Sequence, residues 1–318
     1  MNSSPFRCDD RIRSVILEAA GAAGACAAGF AAVTAVSSRS TEIYRYWIAQ
    51  GRHGGMAYLE KYAEVRDNPA MLLDGAQSIL CLAFAYRSAH TPRHPLFADY
   101  ALGEDYHEVL RKHLAPVASL MEQCAEGSHT RICVDTAPLR ERYWAVKAGL
   151  GYIGLNNQLI IPGKGSAVFL AEILWTASVT PSEPCAVETC LQCRRCVEAC
   201  PGAALDGNGG LDARRCLSYL TIEHRGAFSD GFSLAGRKIY GCDICRDVCP
   251  LGNAGADLPV LGEFIPDKRL MSLTEKDVSD MSQDEFSHIF RHSAIKRTKL
   301  AGLLRNCAAA SSDKTIPQ

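Results

Sequence analysis

The stretch from Cys190 to Pro250 constrains this chain more than any other. It opens Cys190-Leu-Gln-Cys193-Arg-Arg-Cys196-Val-Glu-Ala-Cys200-Pro201 and closes Cys242-Asp-Ile-Cys245-Arg-Asp-Val-Cys249-Pro250. The first run is C-x2-C-x2-C-x3-C-P, the spacing with which two-cluster ferredoxins give three thiolates to one cubane and the fourth to another. The second run supplies C-x2-C-x3-C-P only, leaving two cubanes one ligand short, and Cys216 in Leu211-Asp-Ala-Arg-Arg-Cys216 is the candidate eighth. By the same crossed pattern, Cys190, Cys193, Cys196 and Cys249 would hold one cluster, and Cys200, Cys216, Cys242 and Cys245 the other. A disulfide framework or a zinc ribbon is the alternative. Zinc ribbons use two C-x2-C knuckles and four ligands, whereas eight cysteines interleave here, so the spacing predicts two [4Fe-4S] clusters.

At 318 residues the chain has room for two domains, or a large domain with a smaller one attached. Hydrophobic residues at 47% and charged residues at 22% describe an ordinary globular protein. The net charge of -1 means that a nucleic-acid partner must be met by a local patch rather than an overall basic field. Fifteen cysteines would signal a disulfide scaffold in a short secreted chain. In one this long, with thiolates needed for clusters, they point to a reducing cytoplasm. Cys8, Cys26, Cys81, Cys124, Cys133, Cys185 and Cys307 read as buried apolar residues. The small-residue stretch from Ser14 to Val36 follows three arginines as a signal peptide might, but it carries Glu18 and no leucine-rich core, and Arg11-Ile-Arg13 is not a twin-arginine signal. No membrane span is expected.

Taken in order, the chain predicts a helix from Asp9 to Ala20 and a small-residue strand between Gly24 and Val33. Thr41 is placed to cap a helix that ends at Gly51. Ser78 to Tyr86 suits a buried strand, and Glu104 to Glu126 a long helix interrupted or bent near Pro116. Arg131 to Val134 reads as a strand, and Pro138 as the start of a helix. Gln158 to Ile161 and Ala167 to Ser178 read as a hairpin around Pro162-Gly163-Lys164-Gly165. Strands and helices thus alternate to about residue 180, favouring a layered α/β domain. Pro181-Ser-Glu-Pro184 reads as a linker, and helices are expected from Leu273, the last over Ser293 to Arg305. The expected division is 1–180, 181–258 for the two clusters, and 259–318 for a C-terminal helical segment with a basic helix.

Outside the cysteines, Asp135 ends an apolar strand. It fits a helix N-cap before Pro138, or, at a strand end where α/β domains bind ligands, a desolvated carboxyl with a raised pKa that donates a proton. His107 has no metal-ligand spacing. Gly149 to Gly154 spells G-x-G-x-x-G but follows a helix, so it reads as a tight turn able to approach a flat ligand rather than a dinucleotide site. His288 to Asn306 holds Arg291, Lys296, Arg297, Lys299 and Arg305 with no acidic residue. That is either a solvated helix face or a phosphate-contacting patch.

With these pieces in place, the chain resembles the epoxyqueuosine reductase family of tRNA queuosine synthesis. The resemblance rests on His53-Gly-Gly-Met-Ala-Tyr58, Tyr100-Ala-Leu-Gly-Glu-Asp-Tyr-His107, Val134-Asp-Thr-Ala-Pro138 and Lys147-Ala-Gly-Leu-Gly-Tyr-Ile-Gly154. It continues through Leu211-Asp-Ala-Arg-Arg-Cys-Leu-Ser-Tyr-Leu-Thr-Ile-Glu223, Tyr240-Gly-Cys-Asp-Ile-Cys245 and Ser293-Ala-Ile-Lys-Arg297. It implies an α+β fold: a nitroreductase-like α/β cobalamin-binding domain, a ferredoxin-like two-cluster domain and a short helical segment. It also implies a base-off cobalamin fed by the clusters, with Asp135 as proton donor. Arg66, Tyr106, His107, Asn156, Ser218 and His224 are implied near the cofactor, and Arg225, Lys296, Arg297 and Lys299 near the tRNA. Leu155 stands where the family pattern has a lysine, and Cys249-Pro-Leu-Gly-Asn253 where it has C-P-W-N.

The activity so implied is reduction of epoxyqueuosine to queuosine at the wobble position of tRNA, by a cytoplasmic monomer drawing electrons from a reduced ferredoxin- or flavodoxin-like protein. The alternative is a corrinoid reductive dehalogenase acting on a small molecule. Those enzymes share the cofactors but are usually exported behind a twin-arginine leader. An electron carrier without catalysis would leave some 180 residues of α/β domain superfluous.

Overall fold

A computed structural model of the chain describes residues 8–185, 189–229, 232–234, 236–252 and 257–311. Helix α1 (Asp10–Ala22) opens on Asp9, whose carboxylate accepts the Ile12 N–H at 2.9 Å, and leads to β1 (Ala27–Ala32). Three helices, α2 (Ser38–Ala49), α3 (Ala57–Lys61) and α4 (Ala63–Asp67), then precede β2 (Ser78–Ala85). The long α5 (Tyr106–Cys124) is followed by β3 (Thr130–Cys133), α6 (Glu141–Lys147), the short β4 (Tyr152–Ile153) and β5 (Leu159–Ile160), and β6 (Val168–Trp175). The cysteine region carries α7 (Arg195–Glu198), α8 (Leu217–Ile222) and α9 (Ile244–Asp247). Beyond it come α10 (Lys268–Ser272), α11 (Glu275–Ser279), α12 (Gln283–Ile289) and α13 (Lys299–Ser311).

The main sheet runs β1-β2-β6-β3 with every pair antiparallel. The apolar run Ser-Ile-Leu-Cys-Leu-Ala-Phe-Ala of β2 is buried along its whole length because helices cover both faces. On one face, Ile16 of α1 and Leu110 and Leu114 of α5 pack on Phe30, Leu80, Phe84 and Ile173. On the other, Trp144 and Ala145 of α6 pack on Ile79, Cys81 and Leu174. The result is a helix–sheet–helix sandwich within a mixed α+β chain. Each fully buried leucine, isoleucine or phenylalanine among them contributes roughly 1.5–3 kcal/mol.

The cysteine region has little core of its own. Only Leu155, Cys196 and Leu205 are buried in its cluster. It is anchored instead by Arg246 of α9, which is buried and reaches Asp99 (2.6 Å), Asp247 (2.7 Å), Asp243 (3.3 Å) and the Tyr86 hydroxyl (2.9 Å). Arg87 and Lys238 add contacts to Asp99 and Asp243 at 3.0 and 3.5 Å. A third core, of Phe97, Tyr240, Phe286, Phe290, Ile295 and Leu303, joins the C-terminal helices to the loop before α5.

Several local expectations are corrected. Ser37, not Thr41, precedes α2, and the Thr41 hydroxyl donates to Asp67 at 3.1 Å. Pro116 does not interrupt α5, and it lies on the helix's exposed face. β5 and β6 do not form a hairpin. β5 pairs with β4, while β6 sits between β2 and β3, where its long apolar run is covered on both sides. The helix after β3 begins at Glu141 rather than Pro138. Ala137, preceding a proline, is held out of the helical region, and tight turns close from Thr136 N–H to the Val134 carbonyl and from Leu139 N–H to that of Ala137. Asn253 lies outside the described residues.

The segment read as a linker is seated on the sheet. Ser182 exchanges hydrogen bonds with Phe30 of β1, its N–H donating to the Phe30 carbonyl (2.8 Å) and its Oγ accepting the Phe30 N–H (3.0 Å). The next residue explains the glycine-rich turn. Gly149 has φ +77°, and a Cβ there would strike the Glu183 carbonyl oxygen, so at this position the turn packs on neighbouring backbone.

Candidate functional site

The first cysteine run folds as a tight curl. Gln192 and Arg194, between the early cysteines, take left-handed φ values of 54° and 60°. Cys190, Cys193, Cys196 and Cys249 line one cleft with Leu155, Asn156 and Arg194. Cys200, Cys216, Cys242 and Cys245 gather next to it. Burial pushes the Cys245 thiol up to about 12, and the charges of Cys242, Cys216, Cys200 and Cys196 act in the same direction. Gly202 makes the approach of Cys216 feasible, since a Cβ there would collide with the Arg215 carbonyl oxygen. Backbone N–H groups of Ser218 and Tyr219 point at the Cys216 sulfur, and Ala204 N–H donates to Cys200 Sγ at 3.3 Å. Among the described residues no three donors are placed to grip a single metal ion. Two adjacent groups of four thiols suit cubanes, which bind from wider corners.

The second feature is a recess at the end of β3. Asp135 takes φ +51°, a left-handed conformation uncommon for a residue other than glycine and a form of strain that accompanies functional sites. It caps no helix. Its N–H donates to Glu141 Oε1 at 2.7 Å, and its Oδ2 lies 3.0 Å from His107 Nε2. On the other side of the imidazole, Asp105 Oδ1 stands 2.7 Å from Nδ1 and also accepts the His107 N–H. The Asp135 side chain keeps 54% of its surface although protein surrounds it on most sides, as in a bowl open at the top.

The electrostatics run against a simply raised Asp135 pKa. Burial does push the carboxyl up, but hydrogen bonds from His107 and Tyr106 and the Arg297 charge outweigh it and hold it below the ordinary value. Burial also opposes charge on His107, yet the two aspartates lift its pKa to about 9, so it carries a proton at neutral pH. The Tyr106 ring stacks on His107 at 4.1 Å and on Phe169 at 4.4 Å, and Phe169 meets Tyr86 at 4.9 Å. Tyr86 accepts from Arg246, so side-chain contacts run unbroken from the cysteine region to Asp135. Arg66, Glu223 and Arg297 frame the opening with Tyr58, each close enough to act on its phenol.

Comparison with known proteins places these features in one family. Residues 66–136 match the family described as Epoxyqueuosine reductase QueG, DUF1730, and residues 189–252 match a 4Fe-4S double cluster binding domain. An epoxyqueuosine reductase of Cyclobacterium marinum is 38% identical over 267 residues, covering 82% of this chain and 84% of its own. That of Synechococcus sp. (strain RCC307) is 35% identical, covering 90% and 89%. The chain belongs to the epoxyqueuosine reductase family. An epoxyqueuosine reductase solved with a tRNA-Tyr epoxyqueuosine-modified stem loop superposes with a TM-score of 0.86 and 31% identity over 95% of this chain and 81% of that one. The Bacillus subtilis enzyme, solved with its catalytic aspartate loop swung out of the active site, gives 0.84 and 29% over the same shares.

The other residues implied by the epoxyqueuosine reductase resemblance are scattered more widely. Tyr106 and His107 join Asp135, and Arg66 lies at the opening, with Nη1 donating to the Leu139 carbonyl at 3.3 Å and Nε buried without a partner. Asn156 lies in the cysteine cleft instead, donating to the Cys245 carbonyl at 3.2 Å. Ser218 is half-buried beside Cys216, and His224 stacks on Phe228 at 5.7 Å. The basic stretch is largely neutralised. Lys296 pairs with Asp105 (2.8 Å) and Glu108 (3.2 Å), and Arg297 forks onto Glu223 at 2.9 Å. Arg225 donates to the carbonyls of Ile222, His224 and Arg297, while Lys299 is exposed at φ +60°. Glu141 and Glu172 went unnoticed in the sequence. A lone glutamate inside the apolar run Val-Phe-Leu-Ala-Glu-Ile-Leu-Trp was the available signal for the second.

Proposed function

We propose that this protein reduces epoxyqueuosine to queuosine in tRNA, with Asp135 as the acid that meets the departing oxygen. The observation that carries the reading is the half-exposed Asp135 with its His107 partner, set in a recess beside two groups of four thiols in a member of this family. The finer assignments are part of the reading. Cys190, Cys193, Cys196 and Cys249 hold one [4Fe-4S] cluster, and Cys200, Cys216, Cys242 and Cys245 the other. The boundaries 1–180, 181–258 and 259–318 separate the catalytic layer, the cluster region and the helical end.

A cobalamin fits the recess on one count. The buried Arg66 Nε has no partner at the opening, and a ligand edged with amide carbonyls would accept from it. Arg66, Tyr58, Tyr106 and His107 would hold it. When bound, it supplies a low-potential reductant for the epoxide carbon.

The chain's own part is proton and substrate management. Converting the epoxide to the cyclopentene breaks two C–O bonds, takes up two electrons and two protons, and releases water. His107 keeps a proton on the Asp135 side, oriented by Asp105, so Asp135 can pass one proton outward and be refilled from Nε2. The wobble base has to leave its stack to reach the bottom of the bowl. Among the described residues of the C-terminal stretch, Arg291 and Lys299 are the cations left for phosphates, Arg305 being held on the carbonyls of Leu220, His224 and Gly226, with Arg225, Lys296 and Arg297 reaching them only by exchanging their present partners. Electrons enter where Cys193 is exposed, flanked by Leu191, Arg194 and Arg195, a face suited to a small acidic ferredoxin- or flavodoxin-like donor.

Complementation of a bacterial strain lacking its epoxyqueuosine reductase tests the reading, with tRNA nucleosides read by mass. Queuosine is expected to replace epoxyqueuosine. Epoxyqueuosine persisting at full level with soluble, cluster-loaded protein would refute it, and chloride release from organohalides by the same preparation would favour the dehalogenase alternative.

A further inference from the structure

The C-terminal stretch reaches the recess from behind. Residues Ala294–Thr298 form a single 3-10 turn whose backbone is fixed on the core. The Tyr240 hydroxyl donates to the Ala294 carbonyl at 2.7 Å, the Thr298 hydroxyl donates to the Thr221 carbonyl at 3.0 Å, and Ile295 is fully buried. The loop before α5 is tied to the same stretch, because the Asp105 N–H donates to the His292 carbonyl at 2.8 Å. Between these anchors, Lys296 Nζ stands 2.8 Å from Asp105 Oδ2. The Asp105 side chain is only 4% exposed, and a carboxylate so buried needs partners for both oxygens. Its other oxygen faces His107 Nδ1 at 2.7 Å, and His107 Nε2 lies 3.0 Å from Asp135 Oδ2. Lys296, Asp105, His107 and Asp135 thus form one line of direct contacts.

We infer that Lys296 is a positioning residue for the reaction rather than a phosphate contact: it shares the buried Asp105 carboxylate with His107 and so sets how firmly the imidazole is held against Asp135. The inference deepens the proposed reductase reading and rests on it for the role of Asp135.

The competing role fails on cost. A phosphate that drew Lys296 outward would leave one oxygen of a buried carboxylate without its cation, whereas the half-exposed Glu108, 3.2 Å from Lys296, is the partner given up cheaply. The other charged and titratable groups along the line are few. Glu108 also meets His292 Nδ1 at 3.1 Å, Tyr240 lies near Asp105, Tyr106 and Glu141 lie near His107, and Arg297 acts on Asp135. Burial pushes the Asp105 carboxyl up, but the bonds from His107 and Lys296 outweigh it and hold it well below the ordinary value. Two cations therefore divide one negative charge. Without Lys296 that charge falls on His107 alone, which then keeps its proton to higher pH.

Nitrogen-15 spectra of histidine-labelled, cluster-loaded protein provide the test, with the His107 imidazole assigned by H107Q and followed from pH 6 to 11. Its titration, near 9 in the wild type, is expected about one pH unit higher in K296M and back at the wild-type value in K296R. With a tRNA stem loop, the first turnover of K296M should slow about 10-fold at neutral pH, and the alkaline limb of its pH profile should move up with the imidazole. Stem-loop affinity and its salt slope should stay as in the wild type. An unmoved His107 titration in K296M overturns the inference, and so does a loss of affinity with a salt slope shallower by about 1, the mark of a phosphate contact. Should K296M fail to fold, K296Q, which keeps a hydrogen-bond donor and drops the charge, is read in the same way. The titration needs no tRNA, so a shifted imidazole in K296M beside a wild type that leaves epoxyqueuosine untouched would sink the reductase reading and spare the link from Lys296 to His107.

Discussion

At the scale of single residues, the Asp105–His107–Asp135 line explains how a carboxyl with a lowered pKa can still deliver a proton. The acid need not hold the proton between turnovers if an imidazolium 3.0 Å away does. Asp135→Asn is expected to keep both clusters and lose about 10²–10⁴-fold in turnover, read as nucleoside conversion against the visible cluster spectrum. His107 gives a pH dependence with a definite sign. Folding raises its pKa from 6.5 to about 9, so its contribution to stability is whole below 6.5 and fades as pH climbs through 9. Thermal unfolding followed from pH 6 to 10 should show the midpoint falling across that window, and His107→Gln should flatten the fall. Asp135 was visible in the sequence because it ends an apolar strand. Its partners were not, since His107 lies 28 residues away and Glu141 is joined through a backbone bond.

At the scale of elements, α9 shows how a region with almost no core is held in place. Arg246 sits between Cys245 and Cys249 and inserts a guanidinium among three aspartates. Arg246→Met should cost roughly 3–5 kcal/mol by taking the buried cation from among Asp99, Asp243 and Asp247, measured as a shift in denaturant midpoint, and Asp243→Asn in that background should recover part of it. Nothing in the sequence foretold this pairing across 147 residues. The same limit applies to the basic stretch. Its lack of acidic residues was plain to read, but Asp105, Glu108 and Glu223 come from far along the chain and occupy Lys296 and Arg297. Period and composition did suffice for α1, β2 and the length of α5. They failed for β5 and β6, because pairing partners are chosen by burial across the sheet rather than by proximity in the chain.

For the whole molecule, the thiol arrangement makes a stoichiometric prediction. Anaerobically purified protein should carry eight irons per chain, and Cys216→Ser about half of that, by iron and sulfide assay with electron paramagnetic resonance. Substrate binding should depend only modestly on salt. With Arg291 and Lys299 as the cations left free in the C-terminal stretch among the described residues, the slope of log affinity against log salt is expected at about −2 or shallower, measured with a tRNA stem loop. Among the described residues no helix is long and apolar enough to cross a membrane.

The bond pair between Ser182 and Phe30 has a further consequence for how such a protein can be divided. β1 ends the sheet, and its outer side would present bare amides to any passing strand were Ser182 not seated there. Exposed edges of that kind recruit other chains. A fragment ended at residue 180 would therefore be expected to scatter light as it concentrates, while one ended at 184 stays dispersed. The seam between catalytic layer and electron wiring doubles as a guard against self-association, so the two halves are not interchangeable modules.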